Sequence, residues 1–134
     1  MDKIDKATRS RVMASVKSKN TKPEMRVRST AHKLGFRFRL HSKALPGKPD
    51  LVFPSRRIAL FVHGCFWHGH DCRHGRRQPT TNVDYWREKI RRNVERDART
   101  QAELTGLGWK PAVIWECQIN PATLPQLIND TLTG

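Results

Sequence analysis

The sequence predicts an α/β domain in which a small mixed sheet is flanked by helices on both sides. Three observations point there. Short apolar or alternating stretches fall at residues 36–40, 50–53, 58–62 and 109–115, and stretches with apolar residues three or four apart fall at 22–34, 83–104 and 122–132. A chain of 134 residues can bury one core and is too short for two. No repeat or linker interrupts the pattern, so residues 21–134 are expected to form one domain behind a separate arm over residues 1–20.

Residues 5–16 start at an Asp and read as a short helix that places Met13 on the same face as Arg9, which suits a polar arm better than a core helix. Thr21-Lys22-Pro23-Glu24 is a capping box with Pro in the first turn, and Val27, Ala31 and Leu34 then recur at helical spacing up to Gly35. The box accounts for Glu24, yet its place three residues before Val27 lets it lean inward. Phe36, Phe38 and Leu40 alternate with Arg37 and Arg39, predicting a half-buried strand. Residues 46–49 form a turn, and 50–53 and 58–62 form a hairpin around the turn at 54–57. The second hairpin strand is apolar on both faces and belongs in the middle of the sheet.

Residues 63–81 contain four of the six histidines and two of the three cysteines without apolar periodicity, so a packed core cannot order them. Residues 83–104 form a long amphipathic helix with Val83, Trp86, Ile90, Val94 and Leu104 on one stripe and Arg87, Arg91, Arg92 and Arg99 around it. Gly106 and Gly108 end it, and a strand at 109–115 and a helix at 122–132 complete the domain.

Twenty-six Lys and Arg against twelve Asp and Glu give a net charge of +14. Charge of that size favours an anionic partner, by default nucleic acid. Its distribution is uneven, because no Lys or Arg follows Lys110. The last 24 residues are therefore expected to pack behind an anion-facing surface; a uniformly solvated surface is the bland alternative. Apolar runs such as 58–62 fall far below the roughly 20 residues that span a bilayer, and residues 1–5 have no signal-peptide core, so a soluble, cytoplasmic protein is expected. An odd cysteine count without an export signal favours ligands or free thiols over disulfides.

Cys65, His70 and Cys72 fall within eight residues, and Cys117 follows the last strand. Four N/S donors suit a closed, tetrahedral structural zinc site that would anchor a segment lacking a core. The alternative for Cys117 is a small buried apolar residue. A second group surrounds Asp50, which sits at the mouth of the hairpin whose other strand ends in Val62-His63. Two adjacent strands carry a carboxylate and the groups thirteen residues on to one sheet edge, a common way to hold a divalent cation beside a phosphodiester. His63 and His68 bracket the cysteine loop, and Asn93 and Asp97 lie at i and i+4 on the flank of the long helix. A carboxylate near a buried stripe needs a partner, and a histidine from 63–70 can supply it; Arg96 or Arg99 at the surface is the other choice. A histidine oriented by Asp97 could take a proton from an attacking water. Phe66 and Trp67 sit in this basic loop, where planar groups suit insertion between base pairs; Trp86 could join them or pack in the core. Unstacking costs least at a mispaired step.

Five runs now stand out: residues 5–10, Leu45-Pro46-Gly47-Lys48-Pro49-Asp50, Phe61-Val62-His63-Gly64-Cys65-Phe66-Trp67-His68, Asn93-Val94-Glu95-Arg96-Asp97 and Val113-Ile114-Trp115-Glu116-Cys117. Together they resemble the very short patch repair endonucleases over residues 5–117. The resemblance implies a restriction-endonuclease-like fold and a Mg2+-dependent nick in one strand, 5′ to the thymine of a T:G mismatch left by deamination of 5-methylcytosine. It implies that Asp50 and the Val62 carbonyl bind magnesium, that His68 oriented by Asp97 activates water, and that Glu24 and His63 line the hydrated metal and scissile phosphate, with Asn93 in support. Cys65, His70, Cys72 and Cys117 match zinc ligands, Phe66, Trp67 and Trp86 an aromatic wedge, and Met13 a residue inserted from the minor groove by the arm. Implied partners are double-stranded DNA with a T:G mismatch and host mismatch-repair proteins, and the chain would act as a monomer. Val62 stands where family members carry Thr, and Gly69 and Asp71 where others have histidine. The rival reading is a non-catalytic, zinc-stapled module that binds bent or mispaired duplex.

Overall fold

The computed structural model describes residues 21–66, 68–70, 72 and 81–133. Among these residues, three helices and a four-stranded sheet follow in the order α1 (Lys22–Lys33), β1 (Arg39–Leu40), β2 (Leu51–Phe53), β3 (Ile58–His63), α2 (Val83–Gly106), β4 (Lys110–Trp115) and α3 (Leu124–Thr133). The strands lie in the order β1-β2-β3-β4. The β1–β2 and β2–β3 pairs are antiparallel, whereas β3 and β4 are parallel, as a crossover through α2 requires. The sheet is therefore mixed, and β3 has neighbours on both sides.

Alternation along β2, β3 and β4 builds two apolar layers. On one face Leu51, Phe53, Ile58, Leu60 and Ile114 meet Val27 and Ala31 of α1 and Leu124, Ile128 and Leu132 of α3. On the other, Ala59 and Phe61 meet Leu104 of α2, with Leu45, Trp109 and Val113 alongside. Of the expected capping box the N-cap half forms, the Thr21 side chain accepting from the Glu24 backbone N–H, while the Glu24 side chain turns inward to His41 and Arg28.

Two expectations need correction. The strand expected over 36–40 shrinks to Arg39–Leu40. Phe36 and Phe38 still pack on Phe53, with ring centroids 6.5 and 5.8 Å apart. The alternation thus marked burial correctly, but β2 breaks into a 3-10 turn at Pro54–Arg56, leaving no ladder beside the earlier residues. The long helix is also less buried than its stripe implies. Leu104 is its one fully buried residue among those described, and Val94 is 45% exposed. Its first half packs on a loop instead of the sheet: a Cβ at Gly69 (φ +63°) would meet Ile90 at 3.1 Å and Val94 at 3.0 Å. The arm with Met13, and Trp67, lie outside the described residues.

Candidate active site and metal centre

The antiparallel register of β2 and β3 sets Asp50, just before β2, beside the C-terminal end of β3. There its Oδ2 accepts a 2.7 Å hydrogen bond from the Val62 backbone N–H. From the first turn of α1, Glu24 leans inward and is 1% exposed. Its Oε2 lies 2.8 Å from His41 Nε2 and 3.5 Å from Arg28 Nη1. Ligand atoms of Glu24, His41 and Asp50 all fall within 4.8 Å of one another. Burial pushes the Asp50 carboxyl up to about 7, and the Glu24 charge adds to that, against the lowering effect of the Val62 N–H.

His41 was not legible from the sequence. It follows a two-residue strand seventeen positions from Glu24, and no spacing rule connects them. The available signal was indirect, since an inward-leaning Glu24 needs a donor.

Across the same cleft, His68 Nδ1 donates to Asp97 Oδ2 at 2.6 Å. The histidine partner expected for Asp97 is thus present, in place of Arg99 or Arg96 at the surface. His63, 6% exposed, stacks on His68 with centroids 3.7 Å apart and planes 2° from parallel. Its Nδ1 is 4.0 Å from Asp97 Oδ2 and has no hydrogen-bond partner among the described residues. Burial, then the neighbouring His68, pushes His63 down to about 4. Burial tends to raise the Asp97 carboxyl, but the His68 hydrogen bond and the charges of His68 and His63 hold it below the usual carboxylate range. Asn93, one turn earlier on α2, accepts from Arg96 at 2.9 Å and does not line the cleft.

The acid group and the imidazole group line one cleft of about 800 Å3, with Lys43, Lys48 and Arg96 among its walls. A carboxylate pair, an Asp-bound histidine and three cations in one opening can hold a divalent cation, accept a proton and bind a phosphate.

The third cluster joins the end of β3 to the end of β4, which the parallel register His63↔Trp115 sets side by side. Ligand atoms of Cys65, His70, Cys72 and Cys117 lie within 4.8 Å of one another, so this group could hold a metal ion. Cys117 N–H donates to Cys65 Sγ at 3.4 Å, and the His70 ring stacks on Trp115 at 4.1 Å. Burial pushes the Cys65 thiol up to about 12, so a metal would have to displace its proton. Beside this loop, Phe66 is half-buried, lies outside both core layers and meets Trp86 edge-on at 6.2 Å.

The sequence profile described as DNA mismatch endonuclease Vsr matches residues 1–74. The chain is 54% identical over 119 residues to the type II nicking enzyme V.XorIIP of Xanthomonas oryzae pv. oryzae, covering 89% of this chain and 87% of that protein. It is 44% identical over 122 residues to the type II nicking enzyme V.NmeAIP of Neisseria meningitidis, covering 90% and 86%. It is 42% identical over 118 residues to the DNA mismatch endonuclease Vsr of Escherichia coli, covering 88% and 75%. With a matching profile over more than half its length and relatives at this identity, the chain belongs to the Vsr family of DNA mismatch endonucleases.

Proposed function

We propose that this protein is a Mg2+-dependent endonuclease that nicks one strand of duplex DNA 5′ to the thymine of a T:G mismatch, the product of 5-methylcytosine deamination, and so starts very short patch repair. The observation that carries the reading is the pairing, in one cleft, of an acid cluster at Asp50 with the Asp97-bound His68. A non-catalytic binding module has no need of both.

One buried and one half-buried carboxylate are hard oxygen donors that fit Mg2+, and the Cys3His set fits structural zinc. Bound Mg2+ supplies Lewis-acid polarisation of the phosphate and eases ionisation of water. Asp50 and the Val62 carbonyl would hold the cation, with Glu24 and His63 lining the cleft beside it. In the neutral imidazole, donation from Nδ1 of His68 to Asp97 selects the tautomer whose Nε2 is the acceptor, and this nitrogen takes a proton from the attacking water. Asp97 then stabilises the imidazolium. Lys43, Lys48 and Arg96 face the phosphates. Cys65, His70, Cys72 and Cys117 would hold zinc, which would pin the loop that carries Phe66 and Trp67. These aromatics, with Trp86, wedge into the mispaired step while Met13 of the 1–20 arm enters from the minor groove. Asn93 steadies Arg96 above the cleft. A restriction-endonuclease-like fold, action as a monomer in the bacterial cytoplasm and cooperation with host mismatch-repair proteins belong to the same reading.

A strand-resolved assay tests it. With Mg2+, the protein is expected to nick the T-containing strand of a T:G duplex and leave the T:A control intact, and Asp50→Ala to bind the duplex without cutting. Equal cutting of matched duplex, or cutting that survives Asp50→Ala, would overturn the reading.

A further inference from the structure

Of the Glu24, His41 and Asp50 group, His41 alone has been given no role. It is tied to both carboxylate-bearing residues. Its backbone N–H donates to the Asp50 carbonyl oxygen at 3.1 Å, and its ring Nε2 lies 2.8 Å from Glu24 Oε2. Directly after β1 its backbone turns left-handed, at φ +47°, which breaks the strand's alternation at this residue. A non-glycine residue pays for that conformation, and such strain gathers where a side chain must be aimed. Another donor to Glu24, Arg28 Nη1, stands at 3.5 Å, longer than a strong charge-assisted bond. The Glu24 side chain is 2% exposed and that of His41 24%, so the imidazole caps the carboxylate from the solvent side.

We propose that His41 is a positioning residue: its Nε2–H donates to Glu24 Oε2 and holds that carboxylate facing Asp50, ready for the cation, without His41 itself binding the metal. The inference rests on the cation site proposed above. Its physical basis is that Nε2 is already engaged with Glu24, so it is not available as a ligand atom while that hydrogen bond stands. A flexible glutamate fixed beforehand at one oxygen also loses less freedom when the cation arrives. Partners that orient a ligating carboxylate in this way are typically worth about 10- to 100-fold in metal affinity. A side-chain amide can donate the same hydrogen bond, so glutamine should replace this histidine whereas alanine should not.

The test is Mn2+ titration of the zinc-loaded full chain followed by electron paramagnetic resonance, with Asp50→Asn as the variant that defines the site. The expected result is that His41→Ala weakens Mn2+ binding about tenfold or more. His41→Gln should stay within about threefold of wild type, since it keeps the donor. In pulsed spectra, the nitrogen coupling of wild-type protein should equal that of His41→Gln. A coupling lost in His41→Gln would make His41 a direct ligand and overturn the proposal, as would unchanged affinity in His41→Ala. Thermal melts check folding; if His41→Ala does not fold, the wild-type and His41→Gln comparison decides alone. Mn2+ binding equal in wild type and Asp50→Asn would instead remove the cation site, and this inference with it.

Discussion

On the β2 side of the cleft, Glu24 and Asp50 bring two carboxylates together and Asp50 is pushed up to about 7, first by burial and then by Glu24. On the β3 side, Asp97 is held below its ordinary range against burial by two histidines, and His63 is pushed down to about 4 by burial and by His68. In the first group Asp50 is held from ionising by burial and by Glu24, so it gains from taking up a cation or a proton. The second already pairs its carboxylate with an imidazole at 2.6 Å and so has less to gain from a metal, although ligand atoms of His63, His68 and Asp97 also lie within 4.8 Å of one another. One cleft thus separates the work of holding charge from the work of moving a proton, and each group can be disturbed without the other.

The largest break is Asp50→Ala, which removes the carboxylate held by Val62 N–H. Loss of about 10³-fold or more in single-turnover nicking is expected, from several kcal/mol of metal assistance, with duplex binding retained. Asp97→Asn acts on the other group: His68 loses the partner that sets its tautomer, and nicking should fall about 10²-fold. Divalent-cation affinity should stay within about threefold, and a calorimetric titration separates the two variants.

The pH dependence of stability sharpens the contrast, because the two groups have opposite signs. Between the ordinary Asp value of 3.8 and about 7, folded protein keeps a proton on Asp50 that the unfolded chain has released, so this contribution to stability falls as pH rises. Between about 4 and the ordinary His value of 6.5, folded protein lacks a proton on His63 that the unfolded chain binds, so that contribution rises with pH. Each slope is at most about 1.4 kcal/mol per pH unit, and they offset each other over most of this range. Urea melts without added divalent cation should give a nearly flat profile from pH 4 to 6.5 for wild type, and a rising one for Asp50→Asn. A smaller effect is expected at Gly47, which joins the Asp50 turn to α2. It sits at φ +77°, and a Cβ there would press on the Thr100 methyl and come within 3.2 Å of Phe61. Gly47→Ala should lower stability by about 1–3 kcal/mol in thermal or urea melts.

Much of the fold was legible because its elements carry local signals. The N-cap at Thr21, the doubly apolar β3 and the helical spacing of Leu124, Ile128 and Leu132 are each written in local sequence. The lengths of β1 and the burial of α2 were not, because they depend on where Pro54 breaks the neighbouring strand and on Gly69 bringing a loop against Ile90 and Val94. The site followed the same division. Asp50 with Val62, and Asp97 with a histidine, could be matched from the hairpin and helix geometry, and the Cys65, His70, Cys72 and Cys117 group from donor chemistry. His41 escaped, since its approach to Glu24 depends on a left-handed backbone turn that no residue pattern announces.

The central claim is that the Asp50 carboxyl, kept from ionising by burial and by Glu24, is there to hold a divalent cation. Calorimetric titration of Mg2+ into the zinc-loaded protein at pH 6, repeated in buffers of different ionisation enthalpy, measures both affinity and proton release. Asp50 is largely protonated at that pH with its carboxyl pushed up to about 7, so binding should expel most of one proton in wild type and weaken sharply in Asp50→Asn. Equal Mg2+ binding by both proteins, with no proton released, would contradict the account.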